Sequence, residues 1–403
     1  TKAFRFLEVR NERKRLNTMR GDLRRSIREL RAIPPLEFAS IADAWQHEAL
    51  EELLRKFKEL KDPAKPKAGL LAQARKNMRA MNKVQRSFEE HRDLWTATID
   101  AIASSPKYDG LRLKPQVGLI PLGPDPDSGL HEFAHVGSGS IPTRHPETKT
   151  LVQEDDAAIV LVLLPGGSFL CGSQNDDPDG PNYDRLRNEK LEYVPFNATL
   201  DPFFAGKYEC TRSQWEHMIG RKHVTARVWN VHPRLPVDQV SWLDSADTFR
   251  RHGLDMPGIP TWEYACRAGT DTPWFTGPDG SSLEGFANLA DESLQRSRSG
   301  QVMKRHAAYV AWDDGHPLSA QVGSFRPNAF GLHDTHGNLS EWVGDWRHRE
   351  RRASARNGGC FFLPTYAARM TFIDWVDRDF RGPCTGVRPF RRMDRYPVER
   401  IER

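Results

Sequence analysis

Residues 328–346 read NAFGLHDTHGNLSEWVGDW, and the alternation inside this stretch decides the fold. Gly331, Gly337 and Gly344 stand where the backbone is expected to bend, because a residue without a β-carbon takes positive φ at no steric cost. Polar oxygens from Asn328, Asp334, Asn338, Glu341 and Asp345 alternate with Phe330, Leu332, Trp342 and Trp346. The indoles and the leucine bury a large apolar area, while the amides and carboxylates cap turns or hold a cation. Tryptophan packed against glycine-rich turns predicts a loop-rich body rather than a helical array.

The whole chain agrees with that local reading. Its 403 residues include eleven Trp and thirty Gly, and are enough for two or three domains around a sizeable core. No apolar run reaches the roughly 18 residues needed to span a bilayer, and no signal peptide is visible. A Thr rather than a Met at position 1 suggests a processed or excised piece of something longer. Five widely spaced cysteines without a CxxC pair give no disulfide framework and point to reduced thiols in a cytoplasmic compartment.

Charge is unevenly placed. Residues 1–100 hold 23 Lys+Arg against 15 Asp+Glu, so with +5 overall the remainder of the chain sums to −3. The excess is densest in RNERKRLNTMRGDLRRSIRELR (10–31). A basic helix there can meet nucleic acid, anionic lipid or an acidic protein, but a solvated face is the plainer reading, and neither nucleic acid nor membrane is favoured.

Residues 1–104 read as a helical hairpin or bundle. Leu16, Met19, Leu23, Ile27 and Leu30 form one apolar stripe that Pro34 and Pro35 end. Ile41, Trp45, Leu53, Phe57 and Leu60 mark a second helix. Leu71, Ala74, Met78, Met81, Val84 and Phe88 mark a third that runs through Trp95 and Ile99. From Ser104 the chain turns dense in Pro and Gly, so 105–157 is expected to be a small β-rich linker. Residues 157–164, AAIVLVLL, read as a buried strand leading into the Pro165-Gly166-Gly167 turn.

Eight blocks in order carry a resemblance. They include LLPGGSFLCGS (163–173), PFFAGKYECTRSQWEHMIG (202–220), LPVDQVSWLDSADTFRRHG (235–253), IPTWEYACRAGTDTPWFTG (259–277), ANLAD (287–291), RNGGCFF (356–362) and DFRGPCTGVRPFRR (379–392), besides the opening stretch. Over roughly 158–393 the chain resembles the formylglycine-generating enzyme (sulfatase-modifying factor) family. That resemblance implies an α+β, C-type-lectin-like domain, here preceded by the helical bundle and followed by a tail, 394–403. The 105–156 stretch is similar to the segment before this domain in some bacterial proteins that carry serine/threonine kinase domains. No phosphate-binding Gly-rich loop, HRD or DFG is present, so only an upstream signalling partner is implied.

The chemistry must be weighed residue by residue. His131-Glu132-Phe133-Ala134-His135 spells HExxH, which chelates zinc only on a helix, where positions i and i+4 share a face. Turn residues flank it on both sides, and on a strand residues four apart sit roughly 13 Å apart, so no zinc is expected. Enzymes of the resembled family hold copper(I) with two cysteines, thiolates being soft enough to select it. Aligning Asn357-Gly358-Gly359-Cys360 with their Arg-Gly-Gly-Ser puts those positions at Leu363 and Ala368, which bind no metal. Cys360 falls at the family's active-site serine, and Cys384 is too far along the sequence to be read as its partner, so no copper is expected. A sister branch holds iron with HxxxHxE. Only His131/His135 has that spacing, Gly137 stands where Glu is needed, and His47 and His91 are isolated.

Calcium fits better. The resemblance implies one site from Asn288, Leu289, Asp314 and His316, and a second from His336, Gly337 and Leu339 carbonyls with the Glu341 carboxylate. The stretch after Gly359 lines the cleft in this family. Phe361, Phe362, Tyr366, Phe372 and Trp375 with Arg369 make an aromatic–charged mixture suited to recognition. Arg378, Arg381 and Arg388 are expected to pair with Asp377 and Asp379. The function expected is a non-catalytic module that recognises a protein or peptide ligand. The alternative is a modifying oxidase with a rearranged site around Cys360, with Ser168, Trp342 and Arg369 nearby.

Overall fold

The computed structural model describes residues 89–223, 232–297, 309–344 and 353–393, which fall within one compact unit spanning 78–403. The helical stripes expected over 1–88, the basic stretch 10–31 and the tail 394–403 lie outside the described residues. Of the third expected helix, the described part is α1, Arg92–Ser104. Trp95, Thr98 and Ile102 recur at three- and four-residue spacing and form its buried face.

The fold is of the α+β class. Strands β1 (Leu119–Pro124), β2 (His131–His135), β3 (Val160–Leu164), β6 (Phe203–Gly206) and β11 (Phe390–Arg392) form a sheet in the order β1–β2–β3–β6–β11, every pair antiparallel. All five residues of β3 are buried, so the strand reads as an unbroken apolar run instead of alternating. Gly166 and Gly167 then turn the chain at φ +72° and +117°, as the sequence predicts. The 105–157 segment is thus tied to the sheet through β1 and β2, with Phe133 of β2 opposite Leu161 of β3.

A hairpin of β4 (Gly167–Cys171) and β5 (Phe196–Leu200) follows. Helices α2 (Arg212–Ile219), α3 (Trp242–Arg251), α4 (Ile259–Arg267) and α5 (Glu292–Arg296) come next. Thr211 with Gln214, and Ser241 with Asp244, close reciprocal caps that satisfy the free amides at the starts of α2 and α3. A second sheet runs β10 (Thr385–Gly386), β7 (Ser340–Val343), β8 (Ala353–Asn357), β9 (Asp374–Asp377), with β10 parallel to β7 and the others antiparallel.

The 328–346 stretch supplies β7 and the turns before it. Gly331 and Gly337 take φ of +75° and +74°, and a β-carbon on Gly337 would stand 2.2 Å from the Asn288 carbonyl oxygen. Gly344 does not bend as expected. Its N–H instead donates to the Pro257 carbonyl, in a bridge to Gly258. Asn338 is the hub of the stretch. Its Nδ2 donates to Glu209 Oε2 at 2.6 Å, its Oδ1 accepts from the Ala320 N–H at 2.9 Å, and its own N–H donates to the Asn288 carbonyl.

Candidate functional site

The residues after β8 carry a run of aromatic side chains from the core to the surface. Gly358 and Gly359 reverse the backbone at φ of +89° and +71°, and a β-carbon on Gly359 would stand 3.1 Å from the Ala367 and Ala368 backbone, a tight contact. The turn buries Cys360 and Phe361 and presents Phe362 at the edge, with the two phenyl rings 4.8 Å apart. A 3₁₀ turn over Thr365–Ala368 then lifts Tyr366 into solvent, 47% exposed, with the Phe372 ring 5.9 Å away. Trp375 is half-buried on β9.

Two of the residues expected to touch ligand do not face solvent. Phe361 is 3% exposed and packs inward, and Arg369 is 2% exposed. The guanidinium of Arg369 pairs with Asp184 and, at 2.8 Å, with Glu192, and its Nε donates to the Tyr366 carbonyl at 2.8 Å. Thr371 also bonds Glu192. Burial pushes the Glu192 carboxyl up and Arg369 opposes that shift. Arg369 therefore stitches the 184–192 loop beneath the Tyr366–Phe372 pair. The arginines expected to pair with Asp377 and Asp379 find other partners. Arg388 pairs with Glu341 at 2.6 Å, Arg381 with Asp244 at 2.8 Å, and Arg378 stacks over Trp242.

Leu363 and Ala368, where the resemblance would require copper thiolates, are apolar here, and Ala368 is fully buried. Cys360 is not alone, however. Burial raises its thiol, but hydrogen bonds from the Cys384 thiol, the Phe362 N–H and the Ser340 hydroxyl, with the charge of Arg356, outweigh it and hold the thiol below its ordinary range. The sequence reading set Cys384 aside on separation, because the parallel pairing of β10 with β7 that carries it in leaves no local signal. Of the residues expected near Cys360, Trp342 is buried with Arg356 6.0 Å from its ring, while Ser168 is exposed on β4 and bonded to Thr199.

The HEFAH segment is strand β2, every residue buried. Glu132 pairs with Lys207 and Arg144, His135 Nε2 bonds the His252 carbonyl, and burial lowers both histidines. Among the described residues no group of three or more His, Cys, Asp and Glu is placed to hold a metal.

The first expected calcium set is partly assembled. Backbone bonds from Val310 to Ala290 and from Glu292 to Trp312 run residues 288–292 alongside 310–316. Within it Asn288 Oδ1 and Asp314 Oδ2 are buried without a partner. Burial, with the adjoining Asp291 carboxylate, lifts the Asp314 carboxyl to about 7. Hard oxygens orphaned beside a like charge are the environment a divalent cation relieves. The second set fits less well. Glu341 accepts from Trp262 Nε1 at 2.6 Å and from Arg388, so both its oxygens already have donors, and His336 sits buried against Phe275.

The chain belongs to the sulfatase-modifying factor family: residues 148–393 match the Sulfatase-modifying factor enzyme 1-like domain. The formylglycine-generating enzyme of Streptomyces coelicolor is 31% identical over 176 residues, covering 43% of this chain and 45% of that protein. The chaperone protein LppX of Paenibacillus barcinonensis is 21% identical over 271 residues, 57% of this chain and 89% of that one. Among solved structures, PvdO from Pseudomonas aeruginosa is similar with a TM-score of 0.47 at 22% identity, covering 63% of this chain and 98% of that one.

Proposed function

We propose that this chain is a non-catalytic recognition module of the sulfatase-modifying factor family that docks an aromatic- or leucine-bearing segment of a protein partner. The observation that carries the reading is the exposed Tyr366, backed by the half-buried Phe372 ring and held over the buried Arg369 network. An aromatic anchor whose support is already ordered loses little side-chain entropy on binding. The replacement of both copper positions by Leu363 and Ala368 supports recognition over oxidation. The Paenibacillus relative is named a chaperone, in keeping with a protein-binding role. In this reading the domain is a C-type-lectin-like scaffold stabilised by calcium at Asn288, Leu289, Asp314 and His316. In this reading the module works with a cytoplasmic signalling partner. No helix of the described residues is long and apolar enough to cross a membrane.

Selection of a displayed peptide library on the full chain tests this. Peptides enriched on the native protein should lose at least ~10-fold in affinity for a Tyr366→Ala, Phe372→Ala variant, since interface anchors are worth about 2 kcal/mol or more each. Equal binding by both proteins would reject the site.

A second reading, a formylglycine-generating-type modifying enzyme with a rearranged centre, is favoured by one observation, the thiolate-favouring surroundings of Cys360. Incubation with copper(I) and a cysteine-containing peptide, followed by mass analysis for an aldehyde, decides it.

A further inference from the structure

Lys207 is a buried amine that the recognition surface does not use. It follows β6, Asp125 follows β1, and Glu132 lies on β2 between those strands in the sheet. Glu132, Val162 and Ala205 stand opposite one another across β2, β3 and β6, with Lys207 two residues beyond Ala205. The Lys207 Nζ lies 2.8 Å from Asp125 Oδ1 and 2.5 Å from Glu132 Oε1. Lys207 and Asp125 are 6% and 7% exposed, and Glu132 is fully buried. The other two oxygens are also held. Asp125 Oδ2 accepts from the Ser128 N–H at 2.9 Å, and Glu132 Oε2 pairs with Arg144. Gly331 closes the site, since a β-carbon there would stand 3.1 Å from Asp125 Oδ2.

We infer that Lys207 and Asp125 condense to an intramolecular amide between Nζ and Cγ, with Glu132 carrying the protons. The inference does not depend on the recognition reading, because none of the three belongs to the Tyr366–Phe372 surface. An amine held against one carboxyl group reacts as if at an effective molarity of up to about 10⁵–10⁸ M. Burial adds a second drive, because charged partners are costly away from water and the amide that replaces them is neutral. The Ser128 N–H already donates to the oxygen that turns negative when Nζ adds to Cγ. Arg144 anchors Glu132 Oε2 and so fixes Oε1 against the amine, which makes Glu132 the relay and Asp125 the acceptor. Burial lowers the Lys207 ammonium, but Glu132 and Asp125 outweigh it and hold it above its ordinary range. The pair therefore rests as ions, and a proton must leave Nζ before attack.

The steps balance. Glu132 takes one proton from the Nζ ammonium and passes it to Asp125 Oδ1. The freed lone pair attacks Cγ, and the negative charge gathers on Oδ2. Glu132 carries a second proton from nitrogen to Oδ1, which departs as water while the Cγ–Oδ2 double bond re-forms. Nitrogen keeps one hydrogen, Glu132 ends as the carboxylate it began as, and no oxidant or reductant is consumed. The bond would close a span of 82 residues and tie the end of β1 to the end of β6.

Intact-mass spectrometry of the full chain, followed over time at raised temperature after purification, tests this. The native protein should become one water lighter than its sequence mass. Proteolysis should then release a branched peptide joining Lys207 to Asp125, which survives reducing agents and boiling in detergent. Lys207→Arg should keep its full sequence mass, and Glu132→Gln should link far more slowly than the native chain. A native protein that keeps its sequence mass, a bond from Lys207 to Glu132, or a water loss mapped to a succinimide at an Asp-Gly pair would each overturn the proposal. Circular dichroism shows whether each variant folds, and an unfolded variant leaves the native-protein mapping decisive.

Discussion

A guanidinium buried beside two carboxylates is stable only while all three groups remain, because removing one strands uncompensated charge. Arg369 is in that position, with Asp184 and Glu192 as partners. Arg369→Met should cost about 3–5 kcal/mol, seen as a lower urea midpoint, and should loosen the Tyr366–Phe372 pair above it. A midpoint within experimental error of the native protein would show that the network is not a support. Sequence alone mistook this arginine for a ligand contact, since its acidic partner lies 185 residues away and no local pattern links them. Asp314 behaves differently. Its carboxyl, raised to about 7, keeps its proton in the folded chain after the unfolded chain has released it. Without a cation its stability contribution is therefore full at low pH and declines as pH rises from the ordinary carboxyl range toward about 7. Buried Asp334, raised to about 6, adds to the same decline. Melting temperatures in chelator should fall across that interval, less steeply for Asp314→Asn. Excess calcium should flatten the fall, because a bound divalent ion favours the ionised carboxylate. An identical slope with and without calcium would remove the metal from this site.

Elements form here where a local signal and a tertiary demand coincide. Helix α3 begins at Ser241, whose hydroxyl accepts from the Asp244 N–H at 3.1 Å while Asp244 reaches back to the Ser241 N–H. Phe249 secures the same short helix to the core. Ser241→Ala should cost about 1 kcal/mol, and Ser241→Gly less, which chemical denaturation can rank. Equal losses for both would point to packing rather than capping. The apolar run of β3 and the turn-flanked strand β2 were legible for the same reason, since composition and periodicity over a few residues fix them. Sheet order was not legible, because pairing β6 with both β3 and β11 is a long-range choice that loop closure leaves open. The approach of Cys384 to Ser340 was hidden in the same way. It is created by a two-residue strand, too short to announce itself in sequence.

The folded body extends upstream of the domain match, which begins at residue 148. Trp95 of α1 stacks on Phe133 of β2 at 5.5 Å, and Phe133 meets Phe204 of β6 edge-on at 5.2 Å. Tyr108 adds a polar tie, donating its hydroxyl to the Leu163 carbonyl at 3.0 Å and accepting from the His131 N–H at 2.8 Å. Residues 92–135 therefore cover one side of β3 and fill the same core as the domain beyond it. A fragment starting at 148 would bare the edge of β3, whose five residues are all buried in the full chain, and expose Leu161 and Phe204. An open, apolar strand edge templates association with other chains. The 148–403 fragment should thus aggregate or melt without cooperativity, whereas 89–403 should unfold in one cooperative transition with tryptophan fluorescence reporting the same midpoint as far-ultraviolet circular dichroism. A monomeric, cooperatively folding 148–403 fragment would show that α1, β1 and β2 are an accessory layer. Failure of both fragments would mean that residues before 89 are needed to complete the core.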